Sequence, residues 1–395
     1  MIFCDNVGAG RVPARKSQIV NETMNIKDQT RRLWKLCFSD SEQFMDLYFS
    51  RRYTDQINRY IEEDGTLIAA LQVIPYTMTF GQGREVPVGY VSGACTHPDF
   101  RNRGYMTRLL HRVHRQMFDD GVWFSTLIPA EEWLKDYYRK SGYHTCFHYV
   151  PYTSARNSSL FTQKNSSLFT LHSSLLYNVS DVPLSDDVYH FFHETMHKRQ
   201  CCIQHTRDDL DIVLQDLTLA GGKLYAIHAQ TPHPSSPIPH SKEFFTLHSS
   251  LFTSEDLSAL AFCIIDGPTL RVKEILLNDQ TPLNAALDAL MQATATTKSV
   301  CFLPTISEAY PLGMARVINV DLALKRYAEL APQTNTCINI VGDNAIPQNN
   351  GCRLISDGQC IKISDNAPKA KPITIPELTK LILKPLHPYM SLMMN

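Results

Sequence analysis

The stretch VSGACTHPDFRNRGYMTRLL, residues 91–110, decides how this chain is read. It opens as an apolar run ending at Thr96, passes through a proline-containing turn to Gly104, which stands among arginines, and continues with leucines at helical spacing. A helix that opens where a strand ends presents unpaired backbone N–H groups at the positive end of its dipole. Such a mouth attracts anions, phosphate above all. Gly104 lets backbone approach a ligand closely, and Arg101, Arg103 and Arg108 add positive charge around the same spot. R-x-x-G alone is a weak signal, because many helices open on basic residues and a glycine. The flanking elements have to decide.

At 395 residues the chain is long enough for two or three cores. A 44% apolar fraction and a formal charge of -1 suit a globular protein and give no general case for a nucleic-acid or membrane partner. The longest apolar stretch, ALAFCII at 259–265, is far short of the roughly 20 residues that span a bilayer. Asp5 stands early and no apolar leader core follows, so a secretory leader is not expected. Eleven scattered cysteines without a C-x-x-C pair read as reduced apolar fillers, which places the protein in the cytoplasm.

Residues 1–23 show no periodicity and read as an extension; the fold begins near Met24. Two short helices separated by Ser39, Asp40 and Ser41 come first. The apolar runs RYIEEDG, TLIAALQVIPYTMTF and VPVGYVSGACT, punctuated by Asp64-Gly65 and Gly81-Gln82-Gly83, then predict a hairpin meander that ends in the opening motif.

A strand ending in T-H-P, then R-N-R-G-Y-M, an L-L helix, a second strand VWFSTLIPA and the turn YYRKSGY together resemble the GNAT N-acetyltransferase core. The resemblance implies that Arg101, Asn102, Arg103, Gly104, Tyr105, Met106 and Thr107 hold the pyrophosphate of acetyl-CoA. It also implies that Ala94, Cys95 and Thr96 meet its acetyl–pantetheine end. Met106 departs from the small residue the family has at that place. More narrowly the chain resembles the Eis (enhanced intracellular survival) type, which has tandem GNAT-like domains and a sterol-carrier-protein-like C-terminal domain. The fold class implied is α+β with mixed sheets. Boundaries follow as 24–154 for the catalytic domain, 155–178 for a linker bearing SSLFT and LHSSL repeats, and 179–310 for a degenerate second GNAT-like domain with an insertion at 230–254. MARVINVDLALKRY would open the C-terminal domain, 311–395.

Within the second unit, the helix LNAALDALMQA follows the strand KEILL without any R-x-x-G turn, so this unit is not expected to bind coenzyme A. Acetyl transfer to an amine requires a polarised carbonyl and a proton donor for the departing thiolate. On the resemblance, Tyr138 is the general acid, the α-carboxylate of Asn395 is the base, and transfer is direct, with no metal. Glu131 and Glu132 could hold a cationic amine or simply face solvent. Cys95 reads as a core filler more readily than as a nucleophile. The acceptor stays open among aminoglycosides, polyamines, lysine side chains and peptide amines, and the Eis type implies a homo-oligomer, with a hexamer as its known assembly. Two alternatives remain: a non-catalytic lipid or small-molecule binder with a vestigial GNAT core, and a zinc hydrolase through HETMH, His193 to His197.

Overall fold

Residues 25–156, 177–229, 257–305, 310–363 and 370–394 are described by the structure, a computed structural model. The extension 1–23, the repeats at 157–176, the insertion 230–254 and Asn395 lie outside the described residues. Helix α1 (Ile26–Cys37) starts where the Asn25 side chain accepts from the Asp28 N–H, and it buries Leu33 and Trp34. Ser41 caps α2 (Glu42–Leu47), which runs on into a π turn at Tyr48–Arg52. The meander follows as β1 (Asn58–Glu63), β2 (Thr66–Thr79) and β3 (Glu85–Thr96), antiparallel throughout. Next come α3 (Tyr105–Asp119), β4 (Phe124–Leu127), α4 (Glu132–Lys140) and β5 (His144–Ala155), with β4 parallel to β3.

A second unit then repeats the order. Strand β6 (Tyr177–Asp181), helix α5 (Asp186–His197), the short β7 (Ile203–Gln204) and α6 (Arg207–Leu219) lead into the meander β8 (Gly222–Ala229), β9 (Leu257–Asp266) and β10 (Thr269–Leu277). Helix α7 (Leu283–Ala293) carries the chain to β11 (Lys298–Pro304), which pairs parallel with β10 as β4 does with β3. The expected insert at 155–178 is trimmed at both edges, since Ala155 ends β5 and Tyr177 begins β6.

The last segment departs from expectation. The reading of MARVINVDLALKRY as an opening helix is half right: β12 (Pro311–Val317) takes its first residues, and α8 (Val320–Leu330) starts only after Asn319 caps it. Moreover, β12 lies inside the main sheet, antiparallel to β4 through Met314↔Leu127 and to β5 through Met314↔Thr145. Its burial is complete from Gly313 to Val317, which is the reason an apolar run here serves as a central strand. Residues 311–317 therefore complete the first unit rather than opening the third. The large sheet runs β1-β2-β3-β4-β12-β5-β11-β10-β9-β8-β6, with β7 on β2. A smaller sheet contains β13 (Thr336–Ile340), β14 (Gly351–Ser356), β15 (Gln359–Lys362) and β16 (Lys371–Ile373); α8 packs against β15, and α9 (Ile375–Leu383) lies against β12 and β5 of the large sheet and against α8. Ile338, Ile355 and Leu378 of this part share one apolar core with Phe80, Tyr90 and Phe124 of the first unit. No described helix is long and apolar enough to cross a membrane.

Candidate active site

The site begins where two strands part. β3 and β4 pair only through Val88↔Phe124, Gly89↔Ser125 and Tyr90↔Thr126, after which β3 continues to Thr96 with β2 as its sole strand neighbour. Its other edge, residues 91–96, faces a wedge. Within that edge the register slips: Ser92 pairs with Gln72 and Cys95 with Ala70, so Gly93 and Ala94 together face one residue of β2. This is a β-bulge, a device that re-aims backbone groups beside binding sites. Gly93 takes φ 56, and a Cβ there would sit 2.1 Å from the Trp34 ring and 2.3 Å from the Gln72 Oε1. Only glycine fits. The sequence reading missed this bulge, whose signal was a glycine inside a strand pattern.

Beyond Thr96 a 3-10 turn, Pro98–Phe100, brings the chain to two left-handed residues, Asn102 (φ 61) and Gly104 (φ 76). Gly104 is the N-cap of α3 and supplies no side-chain hydrogen bond, whereas Asn25, Ser41, Ser185, Thr206 and Asn319 each cap their own helices. The first N–H groups of α3 are thus left for a ligand. Residues 101–104 are exposed, and the space where a Gly104 Cβ would lie is open. Arg101 donates from Nε to the Thr96 carbonyl at 3.2 Å, and the Arg103 guanidinium lies over the Phe100 ring at 5.1 Å. Neither arginine has a carboxylate partner among the described residues. Arg108 is different, standing 3.9 Å from Glu63, which also accepts from the Tyr105 hydroxyl at 2.7 Å. Met106 packs its side chain against the core under α3, so the large residue turns away from the open mouth.

Of the three tyrosines in YYRKSGY, two have their hydroxyls engaged. Tyr137 bonds the Thr107 hydroxyl at 3.2 Å, tying α4 to the first turn of α3. Tyr143 bonds Ser125 at 2.7 Å and the His114 Nε2 at 3.0 Å, and burial pushes its phenol up to about 12. Tyr138, 7% exposed, packs edge-on to both at 5.4 and 5.8 Å. Its hydroxyl makes no hydrogen bond to the described residues. Burial, with smaller contributions from Tyr143, Tyr137 and Cys95, pushes the Tyr138 phenol well above its ordinary range, so it stays protonated at neutral pH.

The C-terminal tail is docked. Tyr389 pairs with Cys202 in an isolated parallel bridge, and its hydroxyl donates to the buried Glu274, whose other neighbour is Arg199 at 3.7 Å. His205 contacts the Ser391 carbonyl at 3.0 Å. Met394 is buried in the cluster of Trp34, Tyr48 and Phe49, and Trp34 is the ring that abuts Gly93. The chain is thereby carried toward the bulge up to its last described residue, while Asn395 itself is outside them.

Other candidates separate from this group. Glu131 and Glu132 stand exposed at the start of α4, Glu131 accepting from the Trp133 ring N–H and Glu132 pairing with Lys135 on the same helix. Cys95 is buried, and its thiol is pushed well up by its contact with Cys37 and by burial. In HETMH the His193 and His197 rings stack at 5.5 Å, and His197 stands 3.3 Å from Glu85. Among the described residues no three His, Cys, Asp or Glu side chains are grouped to hold a metal ion.

Residues 23–146 match the family model described as an acetyltransferase (GNAT) domain. That part of the chain is similar to a GNAT acetyltransferase domain. That match ends within β5 and includes the wedge, the turn and all three tyrosines. Solved structures reproduce the fold over nearly the whole length. A GCN5-related N-acetyltransferase from Kribbella flavida is 16% identical, with 93% of this chain and 95% of that chain covered at TM-score 0.63. Eis1 from Mycobacterium abscessus is 12% identical, with 90% and 87% covered at TM-score 0.63. A probable N-acyltransferase of unknown function from Enterococcus faecalis V583 is 16% identical, with 90% and 87% covered at TM-score 0.62. No curated protein matches the chain. The GNAT domain supports acyl transfer from acetyl-CoA or a related acyl-CoA, and the whole molecule has a mixed α/β fold with GNAT-like neighbours.

Proposed function

We propose that the protein is an acetyl-CoA-dependent N-acetyltransferase that moves the acetyl group directly to a primary amine. One observation carries the reading: the uncapped start of α3, flanked by Arg101 and Arg103, opens at the end of a strand edge that has lost its neighbour. Pyrophosphate would take the α3 N–H groups and both guanidiniums. The pantetheine arm would lie along residues 91–96, with the bulge at Ala94 aiming an amide at the thioester oxygen.

In this scheme the amine nitrogen attacks the thioester carbonyl, the C–S bond breaks, and the thiolate takes the Tyr138 hydroxyl proton. Burial suits Tyr138 to the task, because it keeps the phenol protonated until a stronger base is born beside it. The terminal carboxylate of Asn395 would take the proton lost by the attacking amine. The docking of Met394 beside Trp34, the ring that abuts Gly93, supports this.

The second unit fits a degenerate GNAT-like domain, and the smaller sheet with α8 and α9 a sterol-carrier-like one; on the Eis resemblance the assembly is a homo-oligomer. Thiol release from acetyl-CoA, screened over polyamines, aminoglycosides and lysine peptides, tests the activity and finds the acceptor class. Deleting Asn395 should leave acetyl-CoA affinity unchanged and lower kcat by about 10²-fold or more. Full turnover without Asn395 removes that residue's carboxylate from the mechanism.

A further inference from the structure

Beside the strand edge lie two thiols that acetyl transfer does not use. Cys37 ends α1, and its Sγ donates to the Thr96 carbonyl at 3.4 Å, the same oxygen that receives the Arg101 Nε. Cys95 precedes Thr96 on β3 and sits in one small cluster with Leu33, Leu67 and Ala70, against which Cys37 packs. Cys37 thus packs beside Cys95, with its sulfur against the carbonyl of the residue that follows Cys95. Cys37 is partly exposed and Cys95 is buried.

We infer that Cys37 and Cys95 form an oxidisable pair that closes to a disulfide in the presence of a peroxide, fastening the end of α1 to the cofactor strand.

The two sulfurs are unequal in the way such a pair requires. Contact with Cys95, helped by the nearby Arg101 guanidinium and opposed by burial, draws the Cys37 thiol below the ordinary range. The same contact, together with burial, pushes Cys95 up. Cys37 is therefore the more readily ionised of the two and the one that solvent reaches, and as the thiolate it gives up its bond to the Thr96 carbonyl. It attacks one peroxide oxygen, the O–O bond breaks, and the sulfur, oxidised by two electrons, becomes a sulfenic acid while hydroxide leaves and takes a proton. The Cys95 thiol then attacks that sulfur, the S–S bond forms, and the sulfenic oxygen departs as water with the Cys95 proton. A small dithiol reverses the reaction by two exchanges. No other described cysteine combines these features: Cys146, Cys201 and Cys263 are buried with their thiols pushed up, and burial pushes the partly exposed Cys360 up to about 11.

Closure would withdraw the Cys37 thiol from the Thr96 carbonyl and pull on the bulged end of β3, disturbing the oxygen that anchors Arg101. This consequence rests on the proposed acetyl-CoA site, whereas the disulfide does not. The test uses the full chain. Iodoacetamide at pH 7 should label Cys37 at least about tenfold faster than Cys360, following the thiolate fractions. After a slight molar excess of hydrogen peroxide, peptide mapping should find a Cys37–Cys95 cross-link, and a Cys95→Ser variant should instead accumulate a dimedone-trapped sulfenic acid at Cys37. Equal labelling rates in the wild-type protein, or oxidation of Cys37 to the sulfinic acid without a cross-link, overturn the proposal. Oxidised protein should bind acetyl-CoA about tenfold more weakly and recover with dithiothreitol; a cross-linked protein of unchanged affinity overturns the coupling. If neither form binds acetyl-CoA while the cross-link forms, the function reading fails and the thiol pair stands.

Discussion

The molecule builds one scaffold twice, and the two copies differ where chemistry would occur. In each, a long strand pairs parallel with its successor across one helix for a few residues: Val88 to Tyr90 with Phe124 to Thr126 in the first, Thr269 to Val272 with Lys298 to Cys301 in the second. Both long strands then slip register against their preceding neighbour, at Gly93 and Ala94 in one and between Val272 and Glu274 in the other. The turns that follow are opposites. Before α3 the chain offers two arginines with no carboxylate partner among the described residues, left-handed backbone and an open cap. Before α7 the Asn278 side chain accepts from the Gln280 N–H at 3.1 Å and the Thr281 hydroxyl at 2.7 Å, Asp279 adds negative charge, and Pro282 stands at the N-cap. After the bulge, the second strand buries Glu274 under Tyr389 and Arg199. On the proposed reading, the side chains of one turn rather than backbone topology separate the unit that binds from the one that does not.

The largest effect expected on that contrast is catalytic. Tyr138→Phe should lower kcat by about 10²- to 10⁴-fold while the acetyl-CoA Kd stays put, the signature of a lost general acid. An unchanged kcat would remove Tyr138 from the chemistry.

A smaller effect concerns acid and the second unit's grip on the tail. Burial lowers His205 to about 4 in the folded protein, against about 6.5 in an unfolded chain. The unfolded state thus binds the proton that the folded state refuses, so stability is full above pH 6.5 and falls as pH drops toward 4. The loss from this group is about 3 kcal/mol, read as a falling midpoint in urea melts from pH 7 to pH 4. A His205→Gln variant should show a shallower slope. Equal slopes would contradict the assignment.

Gly104→Ala should cost about 1 kcal/mol, because the cavity is open and only the left-handed backbone objects. Isothermal titration and thermal melts would divide that cost between cofactor affinity and stability. Smallest of all, Asp279→Ala in the second unit's turn should leave acetyl-CoA affinity within about twofold; a larger loss would mean that both copies bind.

Much of this was legible in the sequence because it was local. Periodicity and capping residues located α1 to α3, and the turn chemistry before α3 pointed to an anion mouth, whereas YYRKSGY reads as a turn although its first four residues close the helix α4. What escaped was non-local. Nothing in MARVINV says that it will enter the sheet between β4 and β5, since the partners Leu127 and Thr145 are distant in the chain. The bulge at Gly93 is dictated by Trp34 from α1, and the meeting of Cys37 with Cys95 depends on the same helix docking. Glu131 and Glu132 stand exposed at the start of α4, where Glu131 accepts from the Trp133 ring N–H and Glu132 pairs with Lys135.

The most direct measurement is calorimetric titration of acetyl-CoA into the wild-type protein and an Arg101→Ala, Arg103→Ala variant. Saturable one-site binding is predicted for the wild type, weakened about a hundredfold or more in the variant, since each charge-assisted contact is worth roughly 1.5–3 kcal/mol. Binding that is absent from the wild type, or equal in the two proteins, would contradict the account.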